Sequence, residues 1–311
     1  MIDFRYHLVS LVAVFLALAV GVVLGATQLT GALNDDLRGQ MRTLTGEKQD
    51  LKADVGALQT QVKSDDAATG ALAARVVAGT LRDAKVVVIA TAQANDATAD
   101  GVQKVLEQAG ARVTGRVYLT DDYADPRRAA DAKSFVTGGS QPAGFQLPES
   151  DDAGVLSGAL LSYALLGTRR TDPQPSDTSQ IVSGFASLRM LRVESAQVTA
   201  ADLAVVVTSG PVTGEESGSR VRTLTALVSA LDGAGRGSVV AGSAAAAGRD
   251  GLVGAVRADR GLASAVSTVD SADRPVGQVA AAFALVQQAA GRTGQYGTAG
   301  GASAPFPPTS S

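Results

Sequence analysis

Three features of this sequence contain residues whose types and spacing could carry out chemistry. Paired carboxylates could hold a hard cation through their oxygens. Segments rich in glycine and hydroxyl groups could cradle an anion where a helix begins. One histidine, His7, is the only imidazole that could serve as a base or a metal ligand. Cysteine is absent, which excludes thiolate nucleophiles, disulfides and iron–sulfur clusters.

The acidic clusters lack the regular ligand spacing of a calcium loop. Solvated turns are therefore the favoured interpretation, and a hard-cation site is the alternative. A Cu(I) site needs a group of sulfur atoms, and the three methionines are far apart in the chain. The acidic clusters are Asp121 and Asp122 with Asp125, Asp151 with Asp152, and Glu215 with Glu216; the methionines are Met1, Met41 and Met190.

Two segments could bind an anion where predicted strands end. In Thr208–Glu216, TSGPVTGEE, no lysine follows Gly214 and two glutamates would repel phosphate, so a structural turn is favoured over a ligand site. Gly242–Asp250, GSAAAAGRD, offers Arg249 to an anion but lacks the G-x-G-x-x-G spacing. The segment after the first predicted strand, Thr91–Asn95, contains no glycine, which disfavours a Rossmann-type dehydrogenase.

Composition excludes further classes of function. The net charge of −3 does not suit a nucleic-acid binder, which must neutralise phosphates. A Ser–His–Asp triad needs an imidazole beside its nucleophile, whereas His7 lies with Arg5 and Tyr6 at the edge of an apolar run, as membrane-edge residues do. We therefore predict a protein that is not an enzyme and has neither a cofactor nor a nucleic-acid partner. The sequence does not identify any residue as a metal ligand.

An uncharged apolar segment runs from Leu8 to Ala26 and would form about 28 Å of helix, close to the thickness of a bilayer core. Its apolar residues surround the helix, so we predict a retained membrane anchor that contacts lipid from Leu8 to Ala26. A cleaved signal peptide is one alternative, although its apolar region is normally shorter and Gly25-Ala26-Thr27 is a weak cleavage site. A buried core helix is the other.

The charges that flank this segment predict its orientation. Arg5 precedes the apolar residues, while Asp35 and Asp36 follow them. The positive-inside rule then leaves the N-terminus in the cytoplasm and the rest of the chain outside. We predict a single-pass protein of the cell membrane or envelope.

Leucine recurs every seven residues after the apolar segment, which favours a left-handed coiled coil. Glu47 and Lys52 have the spacing of an interchain g–e pair in a parallel dimer, and two chains anchored in one membrane must also be parallel. Lys48 at an a position weakens the seam. The alternative is one amphipathic helix that packs on its own domain. We predict a parallel homo-oligomer through Leu37, Met41, Leu44, Leu51, Val55, Leu58 and Val62, with the register continuing through Leu72 and Val76.

From Lys85 onward, continuous apolar runs alternate with helical patterns, which predicts an α/β fold: a mostly parallel sheet with helices on both faces. The predicted strands are Lys85–Ala90, Arg112–Thr120, Leu203–Thr208, Ser238–Ala241 and Ala265–Val269. The predicted helices are Asp96–Ala109, Asp151–Leu166, Asp177–Leu188, Gly218–Leu231 and Pro275–Ala290, with a large loop between the second strand and the second helix. The predicted organisation is an anchor (1–28), a coiled-coil stalk (29–80), an extracytoplasmic domain (83–291) and a disordered tail (292–311).

The N-terminal stretch Phe4–Gly25, FRYHLVSLVAVFLALAVGVVLG, closely resembles the start of the MctB (mycobacterial copper transport protein B) family of actinobacteria. The later chain is similar to that family in the same order: a leucine heptad segment, KVVVIA at Lys85–Ala90, Pro275–Gly277, and GRTGQYG at Gly291–Gly297. The resemblance implies an envelope protein associated with copper resistance, a proposed pore-forming component of copper efflux.

The residues do not independently indicate that role. A pore through an outer membrane needs a closed barrel of alternating strands, whereas these strands are continuously apolar and interleaved with helices. One helix cannot line a channel, so a pore would need several copies. Three hypotheses follow: an anchored copper-efflux protein, a scaffold that binds envelope polymers or a partner protein without touching copper, and an enzyme that uses the strand-end loops.

Overall fold

The computed structural model describes residues 3–138, 141–142, 145–167, 172–194 and 197–308. The chain divides into two compact units, Met1–Asp65 and Asp66–Ser311. The helices of the described chain are α1 (Asp3–Val77), α2 (Asp96–Gln108), α3 (Ala129–Thr137), α4 (Ala153–Leu166), α5 (Pro175–Ser187), α6 (Ser217–Ala234), α7 (Leu252–Ala258), α8 (Arg260–Ala265) and α9 (Pro275–Ala289).

Seven strands form one sheet in the order β3-β2-β1-β4-β5-β6-β7. All neighbouring pairs are parallel except β2 and β3, which are antiparallel. The predicted fold class, a mostly parallel sheet with helices, is confirmed. The strands are β1 (Lys85–Ala90), β2 (Arg112–Leu119), β3 (Leu191–Val193), β4 (Leu203–Val207), β5 (Ser238–Ala241), β6 (Ser267–Val269) and β7 (Gln295–Tyr296).

The central strands are buried on both faces, which is why they read as unbroken apolar runs. Successive residues of a strand point to opposite faces. Val87 and Ile89 of β1 therefore join the core that contains α4, α5 and α6, while Val88 joins the core that contains α2 and α9. This double burial fixes the positions of the strand ends, where ligands bind in open parallel sheets.

The first unit consists of α1 as far as Asp65. The apolar side chains between Tyr6 and Gly25 are exposed. The predicted seam residues are exposed as well: Leu37, Met41, Leu44, Leu51, Val55, Leu58 and Val62.

The last turns of α1 belong to the second unit. Ala73 and Val77 are buried in the core that contains α9. Asp66 accepts hydrogen bonds from Nε of Arg274, at 3.0 Å to Oδ1, and pairs with Nη2 of the same arginine at 3.0 Å. The compact unit thus begins earlier than the predicted boundary at residue 83, because these turns supply part of its core.

Several sequence predictions for the second unit are wrong. The predicted large loop after β2 contains helix α3, and the predicted strand Ala265–Val269 begins only at Ser267, because Ala265 ends α8. Disorder from residue 292 is also wrong for the described residues to Pro308. There β7 pairs with β6, and Phe306 packs on Phe283 with ring centroids 5.8 Å apart. Residues 309–311 lie outside the described chain.

Two glycines let α4 lie directly against α6. A Cβ atom on Gly158 would stand 3.1 Å from Cα of Leu227, and one on Gly154 would stand 3.1 Å from Cα of Thr223. Both distances are shorter than an ordinary van der Waals contact, and both neighbours are backbone atoms, which cannot rotate away. These glycines therefore set the separation of the two helices.

We expect Gly158→Val to lower the free energy of unfolding by about 1 to 3 kcal/mol, as overpacking of a close helix contact does. Gly233→Val is the matched control, since that glycine is also helical but has nothing within 4 Å of its Cβ position. It should be neutral or slightly stabilising, because valine has the higher helix propensity. Urea unfolding monitored by circular dichroism measures both; equal effects would show that the close approach does not matter.

Candidate functional site

The strand ends most suited to a ligand are those of β1 and β4. The two strands are neighbours in the sheet. The chain after β1 leads to β2, toward one edge of the sheet, and the chain after β4 leads to β5, toward the other edge. Such a switch point leaves a crevice at the carboxyl ends of the strands in open α/β folds. The segments Thr91–Asn95 and Thr208–Glu216, considered above as possible ligand loops, both lie there.

In this protein the loops bond to one another across that crevice. The backbone N–H of Asn95 donates to Oγ of Ser209 at 2.9 Å, and Oγ of Ser243 donates to the carbonyl of Ser209. The N–H of Val212 donates to the carbonyl of Asp250 at 2.8 Å. A pocket beside the ends of β1 and β2 has a volume of about 10 Å³, roughly the room of one water. That pocket is too small for a dinucleotide.

The acidic cluster after β2 is neutralised by arginines. Asp125, whose side chain is 8% exposed, accepts from Nη2 of Arg127 at 2.7 Å and lies 3.4 Å from Nη2 of Arg220. Hydrogen bonds from Arg127 lower the pKa of the Asp125 carboxyl to about 2, and the charge of Arg220 adds to the effect. A carboxylate held in this way is committed to its own chain and is a poor cation ligand.

The other acidic residues also have roles within the fold. Asp122 lies within 3.9 Å of Arg128 and 3.7 Å of Arg189. Lys133 donates to Asp151 at 2.8 Å and lowers the pKa of that carboxyl. Glu216 occupies the N-cap position of α6 in the left-handed conformation, without a side-chain hydrogen bond to the helix. Within the described residues, no three or more His, Asp or Glu side chains are grouped so that they could hold a metal ion.

Arg257 and Asp270 form a buried pair that the sequence analysis did not single out. The side chains are 4% and 0% exposed, and Nη1 of Arg257 lies 2.8 Å from Oδ2 of Asp270. Asp270 follows β6 directly and accepts from the backbone N–H groups of Thr298 and Ala299. Arg257 donates to the carbonyl of Tyr296 at 2.8 Å. The pair fastens the C-terminal segment to the edge of the sheet.

The remaining candidate is the exposed apolar part of α1. Tyr6–Gly25 is the one helical segment in the described residues that is long and apolar enough to cross a membrane, and none of it is buried. The alternative of a buried core helix is therefore wrong. His7 lies on this exposed helix, Met41 is exposed on the seam, and Met190 is fully buried in the core before β3.

Nearly the whole chain is similar to one family of known proteins. The family model described as "Copper transport outer membrane protein, MctB" matches residues 1–307. This chain belongs to the MctB family. The copper transporter MctB of Mycobacterium tuberculosis is 33% identical over 308 residues, which cover 97% of this chain and 98% of that protein. The copper transporter MctB of Mycobacterium leprae is 33% identical over 312 residues, with the same two coverages.

The resemblance of the sequence to this family is thus confirmed over nearly its full length. As an MctB-family protein, the chain is a membrane-associated envelope protein with one N-terminal apolar helix. The sheet does not offer a second surface to lipid, because strands β1, β4, β5 and β6 are buried and helices pack on both of its faces. In the described chain, the surface suited to a bilayer is therefore the helix Tyr6–Gly25.

Proposed function

We propose that this MctB-family protein is a single-pass envelope protein that contributes to copper efflux and copper resistance. One observation carries the proposal: a fully exposed apolar helix, Tyr6–Gly25, begins a chain that matches the family from residue 1 to residue 307. The alignment with relatives that are named copper transporters covers 97% of this chain and 98% of each relative.

The proposed orientation places the N-terminus in the cytoplasm and the α/β domain outside. Arg5 lies before the apolar helix, and Asp35 and Asp36 lie after it, in agreement with the positive-inside rule. The proposed anchor is retained, and lipid contacts it from Leu8 to Ala26. An accessible cysteine introduced in the α/β domain and labelled in whole cells by a membrane-impermeant maleimide tests this orientation.

The proposed assembly is a parallel homo-oligomer through the heptad seam. The seven seam residues named above are large and apolar, and each is at least 41% exposed in the single chain. Burying such side chains stabilises association by about 25 cal/mol per Å² of apolar surface. Anchoring in one membrane holds the chains parallel, which brings Glu47 near Lys52 of the next chain at the g–e spacing.

We expect Leu44→Cys and Leu58→Cys to form interchain disulfides when cells are treated with diamide, because d positions meet across a parallel seam. The natural chain has no cysteine, so each variant carries one thiol. Gln49→Cys, at an outward and exposed position, is the control and should stay monomeric on non-reducing gels. Equal cross-linking at all three positions would contradict the proposed seam.

We propose that the α/β domain is not an enzyme and that copper does not bind at a dedicated cluster within one chain. The hydrogen bond between the loops that follow β1 and β4 and the ion pairs of Asp125 support this part of the proposal. The same observations favour a second candidate function, a non-catalytic envelope scaffold that affects copper tolerance through a partner. Copper transport by an oligomer and scaffolding differ in whether the assembled protein binds the metal.

The deciding experiment has two arms. We expect deletion of the gene to increase sensitivity to copper salts, and the wild-type chain to restore growth. Cu(I) and Cu(II) are then titrated into the full-length protein in lipid nanodiscs, with oligomer size measured by light scattering. Stoichiometric binding by an oligomer supports direct transport. Restored growth without binding supports the scaffold, and a deletion strain with normal copper tolerance would contradict both.

A further inference from the structure

A groove separates α6 from α8 on the face of the sheet opposite α9, beside the first turn of α4. Its volume is about 450 Å³, within the range of pockets that take small molecules or short peptide segments. It lies apart from the strand-end crevice. The close contact of α4 with α6 at Gly154 and Gly158 leaves the groove open on the α8 side of α6.

The floor of this groove is apolar. Val155 of α4, Ala226 of α6 and Leu262 with Ala265 of α8 line it, and each of these side chains is half-buried. Apolar groups that are only partly covered by the fold gain when a ligand removes the rest of their surface from water. A ligand with aliphatic groups therefore fits the floor better than a purely ionic ligand would.

The rim of the groove is acidic. Asp152, Asp232 and Asp259 line it together with one cation, Arg222, so the groove has a net charge of −2. Asp152 and Asp259 are both exposed. Each caps a helix through Oδ1 alone: Asp152 accepts from the N–H of Val155, and Asp259 accepts from the N–H groups of Gly261 and Leu262. Their charges remain accessible to a ligand.

The acidic rim and the apolar floor together indicate which class of ligand suits the groove. Net negative charge disfavours phosphates and nucleic acid. A bound metal ion is disfavoured because no three acidic side chains of the described chain are grouped for it. None of the residues that line the groove is aromatic, so it offers no stacking surface to a sugar ring. A chain that alternates cationic and aliphatic side chains satisfies both the rim and the floor.

We propose that the groove between α6 and α8 binds a short basic segment of a partner protein. Its aliphatic side chains cover Val155, Ala226 and Leu262, and its lysine or arginine side chains pair with Asp152 and Asp259. This interaction is separate from the proposed seam on α1 and does not depend on copper. It gives the α/β domain a binding surface of its own.

The test uses the full-length protein in phosphatidylcholine nanodiscs and a fluorescein-labelled peptide of alternating lysine and valine, with binding read by fluorescence anisotropy and empty nanodiscs subtracted. The variant Asp152→Asn with Asp259→Asn removes two rim charges and keeps both helix caps, because asparagine caps as well as aspartate. We expect affinity for the peptide to fall about tenfold. Asp96→Asn with Asp250→Asn makes the same change of net charge at exposed sites outside the groove and should change affinity less than twofold.

A peptide of alternating lysine and serine tests the floor. It should bind several-fold more weakly than the lysine–valine peptide, and Ala226→Asn should abolish that difference. Thermal unfolding of each variant shows whether the domain is intact, and Asp259→Asn alone replaces the double variant if the latter is unfolded. The proposal is overturned if the wild type does not bind the lysine–valine peptide, if the groove and control variants lose equal affinity, or if the two peptides bind equally.

Discussion

Two arginines in the middle of the apolar helix, Val14→Arg with Leu18→Arg, will release the protein from the membrane. Each arginine near the centre of a membrane-spanning helix costs about 2.5 to 3.5 kcal/mol in insertion measurements. Two therefore cost about 5 to 7 kcal/mol, enough to shift most molecules out of a bilayer held by one helix. The measurement is the fraction of protein that stays in the pellet after alkaline carbonate extraction.

The helix itself should survive this change. Both side chains are exposed, so nothing in the described chain packs against them, and arginine has a good helix propensity. Val14→Ala with Leu18→Ala is the matched control, because it shortens the same two side chains without adding charge and should leave the protein in the pellet. If the arginine variant also remained in the pellet, lipid contact through Tyr6–Gly25 would be wrong as the basis of membrane association.

The largest loss of stability should come from Asp270→Ala. This substitution leaves Arg257, whose side chain is 4% exposed, without its carboxylate and leaves two backbone N–H groups without their acceptor. Breaking a buried ion pair from one side costs about 3 to 5 kcal/mol. For a domain of this size we expect the melting temperature to fall by about 10 °C.

Lys133→Ala is the control for that experiment, since it breaks an ion pair between exposed side chains. Lys133 and Asp151 are 41% and 101% exposed, and a pair of this kind should give no measurable change. Differential scanning calorimetry of both variants, with hydrogen exchange at residues 295–308, measures the effect. A melting temperature for Asp270→Ala close to that of Lys133→Ala would show that the buried pair does not hold the C-terminal segment.

The parts of the fold that could be predicted from sequence are those with a strong local signal. Lys85–Ala90 is an unbroken apolar run because both faces of β1 are buried, and Pro275 marks the first turn of α9 because proline is tolerated there. Strands β3 and β7 were missed because they lack such a signal. β7 has only Gln295 and Tyr296, set among glycines, and it is ordered by contacts with β6 and with the buried ion pair.

The candidate sites, like the fold, were only partly predictable from the sequence. The acidic residues could be found in the sequence, but their ion pairs could not. Arg220 is 99 residues from Asp121 in the chain, yet it donates to the carbonyl of Asp121 and pairs with Asp125 of the same loop. The bounds of the apolar helix segment were predictable to within a few residues, since length and hydropathy define it. The groove between α6 and α8 had no sequence signal, because no helix was predicted at Arg260–Ala265 and its last residue was assigned to a strand.

The position of β7 has a consequence for how the protein is made. This edge strand and the two N–H groups that Asp270 binds lie C-terminal to the other six strands, so they leave the ribosome after them. Until they arrive, β6 is the outer strand of the sheet, with an open row of backbone donors and acceptors that can pair with another nascent chain. The nascent sheet is therefore prone to aggregate until β7 has been synthesised, and a stop codon shortly after Gly291 should produce aggregates.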